Sequence, residues 1–349
     1  MSERFLIVRL GSLGDIVHAL PAVATLRAAF PQAHIDWLVE ARWQELLAGN
    51  PDVTNVVGVD TFAWRRGVLR PGVWRSVRQF GRRLRGRRYD VALDLQGLYK
   101  SALLARLSGA RERLGFEAGF LKEAGAARFY TRRVRPPENT HVIEMNLALV
   151  KAAGATEPQV RFPLPARPED DAAVEELLRK NKLREFFVLS PGGGWGSKCW
   201  PGERYALLHN ALARQRGWRS VINAGPGEEQ LASELMVRCR VTKPVHFPLT
   251  PAQLVALLRR TRLLVSGDSG PLHLAAALGK PVVGLYGPTD PVRNGPFNPE
   301  SSGRAAVVRH PEHARITYKH EDKPSPAMLA ITVEEVLAAI DRVLEEPGG

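Results

Sequence analysis

The 349-residue chain has only two cysteines, Cys199 and Cys239, too few for a disulfide framework or a cysteine-based zinc site. It has no run of 18 or more uninterrupted apolar residues, so no segment reads as a membrane-spanning helix. The apolar start of MSERFLIVRLGSLGD is broken by Arg9 and followed by glycine and aspartate, which suits a first β-strand and not a secretory signal. The protein is therefore expected in the cytoplasm. Acidic residues are scarce relative to basic ones, 36 Asp+Glu against 49 Lys+Arg, a formal net charge of +13. Such a surplus attracts nucleic acid, an anionic membrane face or a phosphorylated substrate without choosing among them. Familiar catalytic patterns are missing too. No D-x-D pair stands at a strand end to hold a metal–diphosphate complex, and there is no H-E-x-x-H or Ser-His-Asp order.

What is present is an alternation of strand-like and helix-like segments. FLIVRL (5–10), HIDWLVE (34–40), NVVGVD (55–60) and VALDLQ (91–96) are apolar or β-branched runs, with helical spacing from Asp15 to Phe30 and a helix expected over Thr140–Ala155. The rhythm restarts at FFVLS (186–190), WRSVINA (218–224), RLLVSGD (262–268) and PVVGLYG (281–287). This is an α/β pattern of parallel sheets covered by helices, and the chain length suits two such domains facing each other. Residues 1–160 form the first expected domain and 161–331 the second, with a final helix over Thr332–Leu344 within 332–349. Glu169, Asp170 and Asp171 behind Pro168 read as a solvated helix start near the boundary.

Ligands in open α/β sheets bind beyond the carboxyl ends of the strands, which singles out the post-strand loops. The first, R-L-G-S-L-G-D (9–15), has two glycines for a tight turn, but not the G-x-G-x-x-G spacing of a dinucleotide site. Asp15 reads either as a plain helix cap or as a general base in the mouth of a cleft. The second, S-P-G-G-G-W-G-S-K (190–198), offers backbone N–H groups and the Lys198 charge to a diphosphate, and lacks the G-K-[ST] ending of a P-loop. In A-G-P-G-E-E (224–229), Glu228 and Glu229 either compensate a helix dipole or accept from ribose hydroxyls. In S-G-D-S-G-P-L-H (266–273), Asp268 is a candidate for sugar hydroxyls, and His273 is either a ligand neighbour or a helix histidine packed on the sheet. Y-G-P-T-D-P (286–291) reads as a proline-rich turn. Without a metal, N–H groups and Lys or Arg must stabilise a leaving diphosphate.

Residues 61–90 hold ten arginines and a single acid, Asp90, with Trp64 and Trp74 among them. That imbalance calls for an anionic partner. No nucleic-acid-binding module accompanies it, whereas a phosphorylated lipid at a membrane surface suits both arginine and interfacial tryptophan.

Taken together, RLGSLGDIVHALPA (9–22), DLQGLYKSALLARL (94–107), SKCWP (197–201), GDSGPLHLAAALGKP (267–281) and YGPTDP (286–291) resemble glycosyltransferase family nine, the heptosyltransferases of lipopolysaccharide assembly. The Q-G-L-x-K-S run and the Y-G-P-T-D-P ending resemble the members that add the first heptose to the Kdo residue of Kdo-lipid A. The resemblance implies a GT-B fold of two facing Rossmann-like domains with the last helix crossing back to the first. It implies inverting transfer from ADP-heptose, no metal or other cofactor, no nucleic-acid partner, and a peripheral place on the anionic cytoplasmic face of the inner membrane. By position, Asp15 matches the general base. On the donor side stand Gly193, Gly194, Lys198, Glu229 (or Glu228), Asp268, Ser269, Gly270 and His273. On the acceptor side stand Gly14, Arg65, Arg66, Gln96, Lys100, Lys122 and His141. One departure is visible: Gly193 and Gly194 stand where those members commonly have threonines, which leaves phosphate contacts there to the backbone.

Overall fold

The computed structural model describes residues 3–67, 69–317 and 321–345. The chain divides into two compact units, Met1–Pro165 and Ala166–Gly349. The first unit runs β1 (Arg4–Val8), α1 (Leu13–Ala29), β2 (His34–Glu40), α2 (Gln44–Leu47), β3 (Asn55–Val59), α3 (Thr61–Arg66), α4 (Pro71–Gly86), β4 (Val91–Asp94), α5 (Tyr99–Leu107), β5 (Glu112–Phe116), β6 (Arg132–Val134) and α6 (Val142–Ala152). All strand pairs are parallel, in the order β3-β2-β1-β4-β5-β6. Phe5, Leu6, Ile7 and Val8 of β1 are fully buried, the continuous apolar run that a central parallel strand needs when helices cover both faces. Each such side chain contributes about 1.5–3 kcal/mol of burial.

The second unit runs α7 (Pro168–Lys180), β7 (Phe186–Ser190), α8 (Gly202–Arg216), β8 (Arg219–Ile222), α9 (Glu229–Arg238), β9 (Val245–His246), α10 (Pro251–Arg260), β10 (Leu264–Gly267), α11 (Gly270–Ala277), β11 (Val282–Tyr286), α12 (Pro291–Asn294), β12 (Ala305–Arg309), α13 (Pro326–Ala330) and α14 (Val333–Leu344). Its sheet, again parallel, has the order β12-β11-β10-β7-β8-β9. Both units are Rossmann-like, and each sheet reverses its strand order once, between β1 and β4 in the first and between β7 and β10 in the second. Among the described residues, no helix is long and apolar enough to cross a membrane.

Three expectations about the chain's organisation need revision. The first unit extends to Pro165, beyond the expected limit at 160, because the outgoing segment is tied back to it. Asn50 Nδ2 donates to the Pro163 carbonyl at 2.7 Å, and Arg161 pairs with Asp52 at 2.8 Å. The final helix is expected, from the resemblance, to pack on the first domain. Instead, Val336, Ala339, Ile340 and Val343 of α14 are buried in the core of the second unit with Phe187, Leu189, Leu285 and Met328. The acidic start of α7 is not a solvated cluster: Asp170 is buried and pairs with Arg167 at 3.3 Å, and Asp171 pairs with Arg260 at 2.9 Å.

Candidate active site

In the first unit, the loops after β1 and β4 flank the switch point, the crevice where open α/β sheets bind ligands. Asp15 lies in the first turn of α1, whose N-cap is Ser12. Its Oδ2 accepts from the Ser12 N–H at 2.8 Å and the Ser12 hydroxyl at 3.1 Å, and its Oδ1 accepts from the Arg9 guanidinium. The capping role is thus present, but it does not exhaust the carboxylate. The side chain is 41% exposed, and its two oxygens offer about four acceptor positions. Arg9, nearly buried, also donates to the Leu95 carbonyl, so a guanidinium anchored on the neighbouring strand end aims the carboxylate.

The β4 loop is joined to the β1 loop by Gln96, whose Oε1 accepts from the Leu10 N–H at 2.8 Å. Beneath it lies Asp94, fully buried at the end of β4. Its Oδ1 accepts from the N–H groups of Gln96 at 2.9 Å and Gly97 at 3.1 Å. Its Oδ2 accepts from the Ser101 hydroxyl at 2.9 Å and the Tyr130 hydroxyl at 2.8 Å. Burial pushes the Asp94 carboxyl above its ordinary range, opposed by these four bonds. Sequence reasoning gave neither Arg9 nor Asp94 a role; the available signal was a charge closing an otherwise apolar strand.

The basic acceptor candidates spread along the same sheet edge. Lys100 Nζ lies 3.8 Å from buried Glu40, which also accepts from the Thr61 N–H at 3.2 Å, linking the loops after β2, β3 and β4. Lys100 and Arg65 both stand against the Phe62 ring, 5.6 and 5.7 Å from its centroid. Arg66 is exposed in the last turn of α3, and Gly14 is buried in α1. Lys122 is exposed on the loop after β5, where the next residue, Glu123, accepts from the Tyr99 N–H at 2.5 Å. His141 is placed differently. It caps α6, accepting from the Ile143 N–H at 3.2 Å, and meets His18 of α1 edge-on with ring centroids 5.2 Å apart.

In the second unit, the glycine loop follows β7 and the Asp268 loop follows β10, so both flank that unit's switch point. They are joined through one side chain: Lys198 Nζ donates to Asp268 Oδ2 at 2.8 Å and to the Asp268 carbonyl at 3.3 Å. His273 Nε2 donates to Asp268 Oδ1 at 3.1 Å. Burial alone would raise the Asp268 carboxyl, but the His273 hydrogen bond and the Lys198 charge overcome it and hold the group well below its ordinary range. Both carboxylate oxygens are therefore engaged within the protein, and Asp268 fixes the Lys198 ammonium, which also lies 4.2 Å from the Trp195 ring centroid. Ser269 is the N-cap of α11, with its hydroxyl 2.7 Å from that of Ser266, and Gly270 opens the helix.

Two glycines of the loop meet specific demands. Gly194 has φ +73°, which a side chain disfavours. A Cβ on Gly192 would lie 2.0 Å from the Glu228 carboxylate, so that carboxylate is laid directly on the loop. Glu229 is placed otherwise: exposed in the first turn of α9, with its carboxylate accepting from the Gly227 N–H at 3.0 Å. The structure thus brings Glu228, not Glu229, against the glycine loop. A further support was not foreseen from sequence. The Ser197 N–H donates to the Glu321 carbonyl at 3.0 Å and the Ser325 N–H to the Ser197 carbonyl at 3.2 Å, clamping the Lys198 turn from residues 321–325. Tyr286, which opens the last motif, is the final residue of β11 and is fully buried, with its hydroxyl donating to the Asn294 carbonyl at 2.8 Å. Among the described residues, no group of three or more His, Cys, Asp and Glu is placed to hold a metal ion.

Two Rossmann-like units, with an oriented carboxylate at one switch point and a glycine–lysine loop at the other, are the architecture of a glycosyltransferase of the GT-B type, the class to which the comparisons assign the chain. The model of glycosyltransferase family 9 (heptosyltransferase) matches residues 77–323, and the chain belongs to that family. It is 32% identical to lipopolysaccharide heptosyltransferase 1 of Pseudomonas aeruginosa, over 84% of this chain and 81% of that protein. Its fold is that of the family 9 glycosyltransferase from Veillonella parvula, with a TM-score of 0.84 at 22% identity, covering 99% of this chain and 98% of that one. E. coli heptosyltransferase WaaC with ADP superposes with a TM-score of 0.76 at 27% identity, covering 97% of this chain and 99% of that one.

Proposed function

We propose that the protein transfers L-glycero-D-manno-heptose from ADP-heptose to the Kdo residue of Kdo-lipid A in lipopolysaccharide inner-core synthesis. The observation that carries this reading is the Lys198–Asp268 pair beside the glycine loop, at a switch point of a chain similar to an ADP-bound heptosyltransferase. The diphosphate of the donor lies on the backbone N–H groups of Gly193 and Gly194 and on Lys198, with Ser269 and Gly270 at the start of α11. Glu228 is the better placed of the two glutamates for the ribose hydroxyls, because it already lies on the loop. His273 keeps Asp268 oriented.

In the transfer step the Asp15 carboxylate takes the proton of a Kdo hydroxyl as that oxygen bonds to the anomeric carbon. The bond from that carbon to the diphosphate oxygen breaks, ADP leaves with the electron pair, and attack from the opposite face inverts the configuration. The charge on the leaving diphosphate is met by Lys198 and backbone N–H groups, so the proposed reaction uses no metal. Gln96, Lys100, Arg65 and Arg66 receive the acidic acceptor, with Lys122, His141 and Gly14 at the margins of that surface. The arginines of α3 and α4 hold the protein on the anionic cytoplasmic face of the inner membrane.

The test is a screen of nucleotide-diphosphate sugars with purified Kdo-lipid A, reading released nucleotide diphosphate and the anomeric configuration of the product by NMR. ADP release with ADP-heptose, and an inverted linkage on Kdo, is the expected result. Turnover only with an acceptor that already carries heptose would move the protein to a later step of core assembly and overturn the Kdo assignment.

A further inference from the structure

Away from Asp15, the first unit contains a pocket of about 390 Å³ between α3, α4 and α5. Its wall is apolar, formed by Phe62, Trp64, Val73, Val77, Leu104 and Leu107, with Trp74 and Leu103 at its edge and, among the described residues, Arg65 and Lys100 as the charged members of the lining. The size falls within the range of small-molecule sites. Two of its apolar residues are open to solvent: Trp74 is 54% and Leu103 46% exposed. The exposed arginines of α4, including Arg75, Arg78 and Arg82, fall by their spacing on the solvent face of that helix, turned from the Val73–Val77 face that lines the pocket, and residues 61–89 contain no acid at all. An apolar recess with one guanidinium and one ammonium group in its lining, on a stretch of chain without acids, matches an anionic amphiphile, with the chain in the recess and the acidic head against Arg65 and Lys100.

We propose that this pocket binds an acyl chain of the acidic glycolipid acceptor, with Arg65 and Lys100 meeting its acidic sugar at the mouth. The inference rests on the reading of the acceptor as an acidic glycolipid. It adds a subsite that recognises the lipid portion, which the sugar-transfer chemistry does not touch. Lys100 links the two regions, because it lines the pocket and lies 3.8 Å from Glu40, whose backbone N–H donates to the Leu10 carbonyl of the Asp15 loop at 3.0 Å. A chain seated among α3, α4 and α5 would place the head group along the sheet edge that carries Gln96.

Two measurements on the full chain test it. In the first, micelles of a detergent with a brominated acyl chain are added and tryptophan fluorescence is followed. Quenching is expected in the wild type and should fall sharply in Trp64→Phe and Trp74→Phe; equal quenching in all three proteins would overturn the pocket. This readout is independent of turnover, so it stands even if the acceptor sugar is misassigned. In the second, kcat/KM is compared for acylated and fully deacylated Kdo acceptor. The wild type is expected to favour the acylated form through a lower KM. Leu103→Glu at the exposed edge and Val77→Trp in the wall, both outside the catalytic and head-group residues, should reduce that preference roughly tenfold while turning over the deacylated acceptor normally. An unchanged preference in both variants contradicts the proposal. So does concentration-dependent self-association that Leu103→Glu abolishes, since a second copy would then be what covers the pocket. Absence of turnover with either acceptor, alongside pocket-specific quenching, would sink the Kdo reading and leave the acyl-chain site standing.

Discussion

At the scale of single residues, the candidate chemistry depends on charges that are aimed by other charges. Asp15 is both a helix cap and an ion-pair partner of Arg9, and that double restraint is what a general base needs to meet a hydroxyl in one orientation. Arg9→Met should therefore impair turnover through kcat more than KM, with the largest effect when Asp15 is otherwise intact; an unchanged kcat would show that the guanidinium is only structural. Lys198→Ala should lower kcat/KM for the donor by about 10²–10³, the usual loss when one charge-assisted phosphate contact is removed at a reacting centre. A normal value in steady-state kinetics would remove Lys198 from the site. Asp268 adds a pH signature. Its carboxyl is depressed in the folded state, so its contribution to stability is present above the unfolded value of about 3.9 and is lost as pH falls through that value and below. In urea titrations, Asp268→Asn should be less stable than wild type at neutral pH, with the gap narrowing below about pH 4. A gap that stays constant from pH 7 to pH 3 contradicts this account.

At the scale of elements, the two site loops in each unit are held by the strands they follow, and Asp94 shows how. One buried carboxylate at the end of β4 satisfies two backbone N–H groups of the Gln96 loop, a hydroxyl on α5 and the Tyr130 hydroxyl just before β6. Removing it strands the two N–H groups and the Tyr130 hydroxyl, while the Ser101 hydroxyl keeps the Leu98 carbonyl at 2.9 Å, so Asp94→Ala should destabilise the protein by about 3 kcal/mol in chemical denaturation. A change below about 1 kcal/mol would mean the loop is held by other contacts. The same residue marks the limit of reading from sequence. β1, β7 and β11 were legible because central parallel strands are unbroken apolar runs, β2 because Ile35, Trp37, Leu38 and Val39 outweigh the one acid among them, and the loops at Asp15 and Lys198 stood out because glycines and a charge follow such runs. The strands β5, β6, β9 and β12 were not legible. β6 is Arg-Arg-Val at a sheet edge and β9 has only two residues, so neither carries a periodic apolar signal. Likewise, Asp94 finds Tyr130 36 positions away and the Lys198 turn is clamped by residues 321–325, pairings that only the assembled sheets create. The last helix was misassigned for a related reason: an amphipathic stripe announces that a helix will pack, but not on which core.

At the scale of the whole molecule, the chain is two Rossmann-like units, each with its candidate loops at a switch point, and the proposed reaction divides its labour between them. In the proposed reaction the first unit, with the carboxylate and the cations, takes the acceptor, and the second, with the glycine loop, Lys198 and the Asp268–His273 pair, takes the donor. If that division holds, damage on one unit should leave the other unit's ligand untouched. Asp15→Asn tests this most directly, with ADP-heptose binding followed by calorimetry and transfer to Kdo-lipid A followed in a single turnover. The account predicts donor affinity within about threefold of wild type and a transfer rate at least about 10² lower, the scale of a lost general base. A variant that transfers heptose at a near-normal rate, or one that fails to bind the donor, contradicts it.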